Sequence, residues 1–174
     1  MHHLWNMVFL SFFVIMYIVV YPFILWFSNL YFLIDTQKKP LQSLALGLLF
    51  LYLFSIPFYL FFPVSNVYTY NNIDSALSII FPSINSFFYT TTTTNNCFPS
   101  LHVAMSIIIA WAVKHTDNKR YYYFTIFSMI SVIISVMYLV IHWIVDVIGG
   151  IIAATAAIII SNTLLKRLGD HEQK

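Results

Sequence analysis

The chain has 174 residues, of which 60% are hydrophobic, 19% aromatic and only 8% charged, with eight Lys plus Arg against six Asp plus Glu. A water-soluble domain carries about a quarter charged residues, so this composition excludes one and describes an integral membrane protein. Long apolar runs recur along the whole length rather than once at the start, which excludes a leader as their source, and a single membrane domain over residues 1–174 is expected. The one cysteine, Cys97, has no partner for an internal disulfide, and no Cys/His spacing resembles a zinc site, so neither metal nor cofactor is expected.

A helix needs about 20 apolar residues to cross the hydrocarbon core. Dividing the apolar runs by that length predicts an all-α polytopic bundle of about five transmembrane helices. The first lies within residues 4–34, with Pro22 as a kink; two short helices meeting at Pro22 would make the count six. The second covers 41–62. The third follows Pro99, ends near Val113, and is short enough to start in the headgroup layer. Residues 121–165 would form about 68 Å of helix, more than twice the bilayer, so they read as two antiparallel spans with a tight turn at 139–144. No Gly or Pro marks that turn.

Basic residues in short loops stay cytoplasmic. Lys38 and Lys39, then Lys114, Lys119 and Arg120, then Lys166, Arg167 and Lys174 all fall on one face of a five-helix bundle, which predicts an N-terminus outside and a C-terminus in the cytoplasm of a cell-membrane protein. The opposite face carries the loop 63–98, which has no Lys or Arg. Within it, 73–88 reads as an interfacial segment and 90–96 as a polar connector. Without a basic outer patch, nucleic acid is excluded as a partner. The partners expected are the bilayer and a lipid substrate, with the oligomeric state open.

Ionisable residues inside spans are costly and ask for a reason. His142 and Asp146 are four apart at the start of span five, on one helix face, where the carboxylate can hold one ring nitrogen and leave the other free to attack. Taken alone, the pair reads equally well as a buried structural contact. The second constellation is Pro99-Ser100-Leu101-His102. Pro99 suits the first turn of a helix, whose unsatisfied N–H groups, beside a hydroxyl and an imidazole, make a ready anion site. Taken alone, it reads first as an ordinary helix start. The topology puts both constellations on one membrane face, provided that spans three and five are neighbours.

Pro99-Ser100-Leu101-His102 and the run from His142 through Asp146 to Gly149-Gly150 resemble the second and third signature motifs of the phosphatidic acid phosphatase type 2 superfamily. The resemblance covers residues 41–165. It is closest to the branch related to inositol phosphorylceramide synthases, where Phe-Pro-Ser-Leu-His-Val and His-x-x-x-Asp-Val stretches recur; Phe62-Pro63-Val64 resembles that branch as well. The resemblance implies metal-independent phosphoryl transfer, with His142 as the nucleophile forming a phosphohistidine, Asp146 orienting it, His102 as general acid, and Ser100 with nearby backbone N–H groups holding the phosphoryl oxygens.

The chain departs from the family where the family carries cations. Ser135-Val136 stands where the third motif begins Ser-Arg, and Lys38-Lys39-Pro40, the nearest thing to a first motif, lies on the cytoplasmic face about a bilayer thickness, ~30 Å, from the site. Outer-face candidates to replace those cations are Asn66, Tyr68, Tyr70, Asn71, Asn72, Asn95, Asn96 and Tyr138. Cys97 is expected to pack beside the site, and Gly149-Gly150 to allow close helix packing. The expected function is hydrolysis of a lipid phosphate or diphosphate, of polyprenyl diphosphate or phosphatidic acid type, on the extracytoplasmic face. The alternatives are a lipid phosphotransferase and a non-catalytic membrane binding protein of the same fold.

Overall fold

The computed structural model describes residues 7–71 and 95–172. His2, His3, Asn72 and the expected interfacial segment 73–88 lie outside the described residues. Helix α1 covers Met7–Ile34 and passes through Pro22 without breaking. A proline lacks an N–H and its ring collides with the carbonyl four residues back. Met16–Val20 widen into a π turn, with the Tyr21 N–H bonded to Met16 O, and this turn accommodates the ring within one continuous helix. The six-helix alternative is thereby corrected to a single bulged span.

The remaining helices are α2 (Lys38–Phe61), the short α3 (Val67–Asn71), α4 (Leu101–Val113), α5 (Lys119–Tyr138) and α6 (Ile144–Glu172). The protein is an all-α polytopic membrane bundle: α1, α2, α5 and α6 are long and apolar enough to cross a membrane, whereas α4 is shorter. Its shortness has a structural counterpart. Helix α4 packs against α1, α2, α5 and α6, and nine of its residues, from Val103 to Val113, are buried. A helix apolar on every side belongs at the centre of a bundle. The lipid-facing surface falls to the others, through residues such as Val8, Trp26, Leu60 and Ile152.

Two tight turns reverse the chain by the same device. At the end of α1, Thr36 adopts φ 49° while Gln37 N–H reaches Phe32 O; at the end of α5, Val140 adopts φ 59° while Ile141 N–H reaches Val136 O. Both are Schellman closures, in which a left-handed residue lets the next N–H satisfy an orphan carbonyl. Both place a β-branched residue where glycine is usual. Such a conformation costs on the order of 1–3 kcal/mol and persists only where surrounding packing holds it.

One polar contact ties α1 to α5: Ser28 Oγ lies 2.7 Å from Tyr121 Oη, both buried. Ser28→Ala leaves that phenol without its partner. The expected cost is about 0.5–1.5 kcal/mol, measured as a shift in the denaturation midpoint in detergent, with the site chemistry unchanged.

The basic residues gather at one end. Lys38 and Lys39 open α2, Lys114 closes α4, Lys119 and Arg120 open α5, and Lys166 and Arg167 lie late in α6. His115, in the α4–α5 turn, is held below its usual pKa first by burial and then by the Lys39 ammonium, which places those two turns together. From that end, the 13 residues of α4 reach only about 20 Å along the bundle. Measured along α2, Tyr59, whose Oη bonds Pro99 O, lies 21 residues from Lys38, about 32 Å of helix.

Candidate active site

Helices α4 and α6 are neighbours, as the convergence of the two motifs requires. Ser100 N–H donates to Asp146 O at 3.0 Å, and Gly150 sits so close to the start of α4 that a Cβ there would lie 2.6 Å from Ser100 O. Gly149 faces the Phe98 ring in the same way. The small residues of the third motif thus seat α6 directly on the second.

Pro99 precedes the helix rather than occupying its first turn. Helix α4 begins at Leu101 with Ser100 as its N-cap, in extended backbone conformation and with no side-chain cap bond. The first N–H groups after Ser100 have no intrahelical acceptor. Ser100 is 0% exposed and its Oγ has no hydrogen-bond partner among the described residues. A buried hydroxyl without a partner beside an uncapped helix start is a donor set waiting for an anion. Tyr59 Oη donates to Pro99 O at 2.7 Å, and Cys97 N–H to Val64 O at 3.1 Å, so the approach to this helix is held from α2 and from the Phe62-Pro63-Val64 stretch.

His142 and Asp146 meet by a different geometry from the one expected. Helix α6 begins at Ile144, so His142 lies in the turn before it, anchored by its N–H to Val136 O at 3.2 Å. Asp146, in the first turn, reaches back: its Oδ2 accepts the Trp143 N–H at 2.8 Å and faces His142 Nδ1 at 3.4 Å. This is the acidic half of a capping box, and the same oxygen serves the helix and the imidazole. Both residues are buried, Asp146 to 1% exposure. Trp143 Nε1 donates to Ser65 O at 3.0 Å and its ring meets Tyr70, which ties the turn to the chain around α3.

The two imidazoles face one another with ring centroids 5.8 Å apart. His102 is flanked by Tyr17 at 4.8 Å and Tyr21 at 4.9 Å, both from α1. Four residues apart on one helix, the two tyrosines bear on it from the same face. The two tilted rings hold the imidazole between them in the buried interior. Tyr17 and Tyr21 are site neighbours that the composition of an apolar, aromatic-rich span does not single out. Their spacing of four immediately before Pro22 was the available signal.

Four of the candidates to replace the missing cations have other partners. Asn66 Oδ1 caps α3 through Thr69 N–H, Asn71 Nδ2 bonds Val67 O, and the Tyr138 ring packs on Phe13. Tyr68 is buried beside Leu10, Val14 and Tyr17. At the position of the absent Arg, Ser135 Oγ bonds Ser131 O, and the Val136 carbonyl receives the N–H groups of Ile141 and His142. That position now anchors the His142 turn through its backbone.

Cys97 packs against this site, as expected. Burial, with Asp146 nearby, pushes its thiol up to about 12, so it is protonated at neutral pH and no competitor for nucleophile. Its Sγ, a His142 ring nitrogen and an Asp146 oxygen nevertheless lie within 4.8 Å of one another. The linear spacing of 97, 142 and 146 conceals that grouping.

Two facing imidazoles, a buried carboxylate and an uncapped helix start, set inside a bundle of apolar helices, fit a membrane phosphatase-type protein. The family model described as the PAP2 superfamily matches residues 1–160, and the chain belongs to that superfamily. No curated protein and no solved structure matches it.

Proposed function

We propose that the protein is a metal-independent phosphatase of lipid phosphates or diphosphates, acting on the extracytoplasmic face with its N-terminus outside and its C-terminus cytoplasmic. The observation that carries this reading is the juxtaposition of His102 and His142 at 5.8 Å over the Ser100 helix start. A reacting phosphorus needs about 3–3.5 Å to its nucleophile, so both imidazoles are near enough to act on one phosphoryl group bound at the Ser100 helix start.

In the first step His142 Nε2 attacks phosphorus while Asp146 holds Nδ1–H. The bond from phosphorus to the leaving oxygen breaks, and that oxygen takes a proton from His102. The arriving anion favours the imidazolium form of His102. Ser100 Oγ and the free N–H groups of α4 hold the phosphoryl oxygens as charge builds on them. In the second step water gives a proton to His102 and attacks the phosphohistidine, the N–P bond breaks, and inorganic phosphate leaves.

A lipid substrate is supported by two crevices that share Phe98. One, of about 430 Å³, runs past Val64, Trp143 and Asp146; the other, of about 240 Å³, lies between Phe54 and Phe58 of α2 and Ile152 and Ala153 of α6. Both are lined by apolar surface and suit hydrocarbon chains.

The test is purified protein in detergent with a chelator, offered polyprenyl diphosphate and phosphatidic acid, with and without candidate alcohols. Release of inorganic phosphate is expected from at least one of the lipids. A phosphorylated alcohol as the main product would assign the chain to the phosphotransferases of its nearer branch instead. No turnover of any lipid phosphate by folded protein would leave a binding protein.

A further inference from the structure

We infer that Cys97, His142 and Asp146 form an inhibitory site for a borderline-soft divalent cation, of which Zn²⁺ is the expected occupant. The site goes beyond the phosphatase reading, which needs no metal, and its occupancy does not depend on that reading.

The donor set is one thiol, one imidazole and one carboxylate, from two segments far apart in the chain, all three residues buried and with their ligand atoms within 4.8 Å of one another. A tetrahedral zinc with bonds of ~2.0–2.3 Å holds such donors about 3.4–3.6 Å apart. The widest separation therefore has to close by about 1.2–1.4 Å, within reach of a rotation of the Cys97 and Asp146 side chains. The supporting shell is present. Trp143 N–H holds Asp146 Oδ2, Cys97 is fixed through its N–H to Val64 O, and His142 through its own N–H to Val136 O. The crevice past Val64 and Trp143 reaches Asp146 and provides a path for the ion and a fourth ligand from water. Binding displaces the thiol proton to solvent and forms a metal–thiolate bond. Thiolate and imidazole donors select Zn²⁺ and Co²⁺ over Mg²⁺ and Ca²⁺. An ion held there takes the imidazole and the carboxylate that phosphoryl transfer uses, so occupancy and turnover exclude one another.

Because Cys97 is the sole cysteine, a thiolate-to-metal signal has one source. The full chain in detergent, under a phosphine reductant, is titrated with Co²⁺. A thiolate-to-cobalt charge-transfer band saturating at one equivalent, bleached by Zn²⁺, unaffected by millimolar Mg²⁺ and absent in Cys97→Ala is the expected result. Cobalt binding without that band, or Zn²⁺ affinity in Cys97→Ala within twofold of the parent chain, overturns the site. These readouts decide the matter even for a chain that turns over no phosphate. With activity in hand, the half-inhibitory Zn²⁺ concentration is expected to rise at least tenfold in Cys97→Ala, while turnover without metal stays within twofold. Should Cys97→Ala fail to fold, Zn²⁺ protection of the native thiol from a maleimide decides instead: at least tenfold slower labelling supports the site, and unchanged labelling overturns it.

Discussion

Alanine at His142 is expected to lower phosphate release by about 10⁴-fold or more, and no phosphorylated enzyme is expected to form with any substrate. Alanine at His102 is expected to cost about 10²–10⁴-fold with a lipid phosphate, whose alkoxide leaves poorly without a proton. The two variants separate when the leaving group is changed. An aryl phosphate with an acidic phenol departs without help, so His102→Ala should recover most of its rate on it and His142→Ala none. Measured as rate against leaving-group acidity, His102→Ala should show a steep dependence where the parent chain shows a shallow one. Equal losses on both substrates in both variants would mean that the rings, 5.8 Å apart, act as one structural unit rather than as acid and nucleophile.

The two motifs were legible because their chemistry is costly in a membrane. A His and an Asp at the start of an apolar run need a reason, and the reason survives even though His142 sits in the turn and Asp146 reaches back to it as a helix cap. Helix positions were legible for the same physical cause, since the bilayer admits few lengths. What stayed hidden follows from packing and backbone conformation. The turn at 139–143 is closed by Val140 at φ 59°, and nothing in a run of Leu, Val and Ile announces a left-handed residue. Tyr17 and Tyr21 stayed hidden because nothing in an apolar, aromatic-rich run says which face of α1 meets His102. The central place of α4 depends on its neighbours on all sides rather than on its own 13 residues.

Gly150→Ala is expected to lower turnover by about 10²-fold with little loss of folded protein. The added methyl would lie 2.6 Å from the carbonyl oxygen of Ser100 and 3.2 Å from Val103 Cβ. Neither atom is the end of a flexible side chain; the first belongs to the backbone of the α4 N-cap. To admit the methyl, α6 and the start of α4 must part by several tenths of an ångström to about one. That motion stretches the Ser100 N–H bond to Asp146 O and carries His102 away from His142. A displacement of this size between reacting groups costs about two orders of magnitude even when every group is still present. Gly47→Ala is the matched control. Its methyl would also meet an atom at 2.6 Å, but that atom is Cγ2 of Ile108, two turns into α4 from the site. There the clash is relieved by a side chain, and the expected outcome is a stability change of about 1–3 kcal/mol from overpacking, partly offset by about 1 kcal/mol of helix propensity, with turnover per folded molecule unchanged. Denaturation midpoints and kcat measured on both variants decide it. If Gly47→Ala lost as much activity as Gly150→Ala, close packing along the bundle as a whole, rather than the seating of α6 on the Ser100 carbonyl, would be what sets the distance between the two histidines.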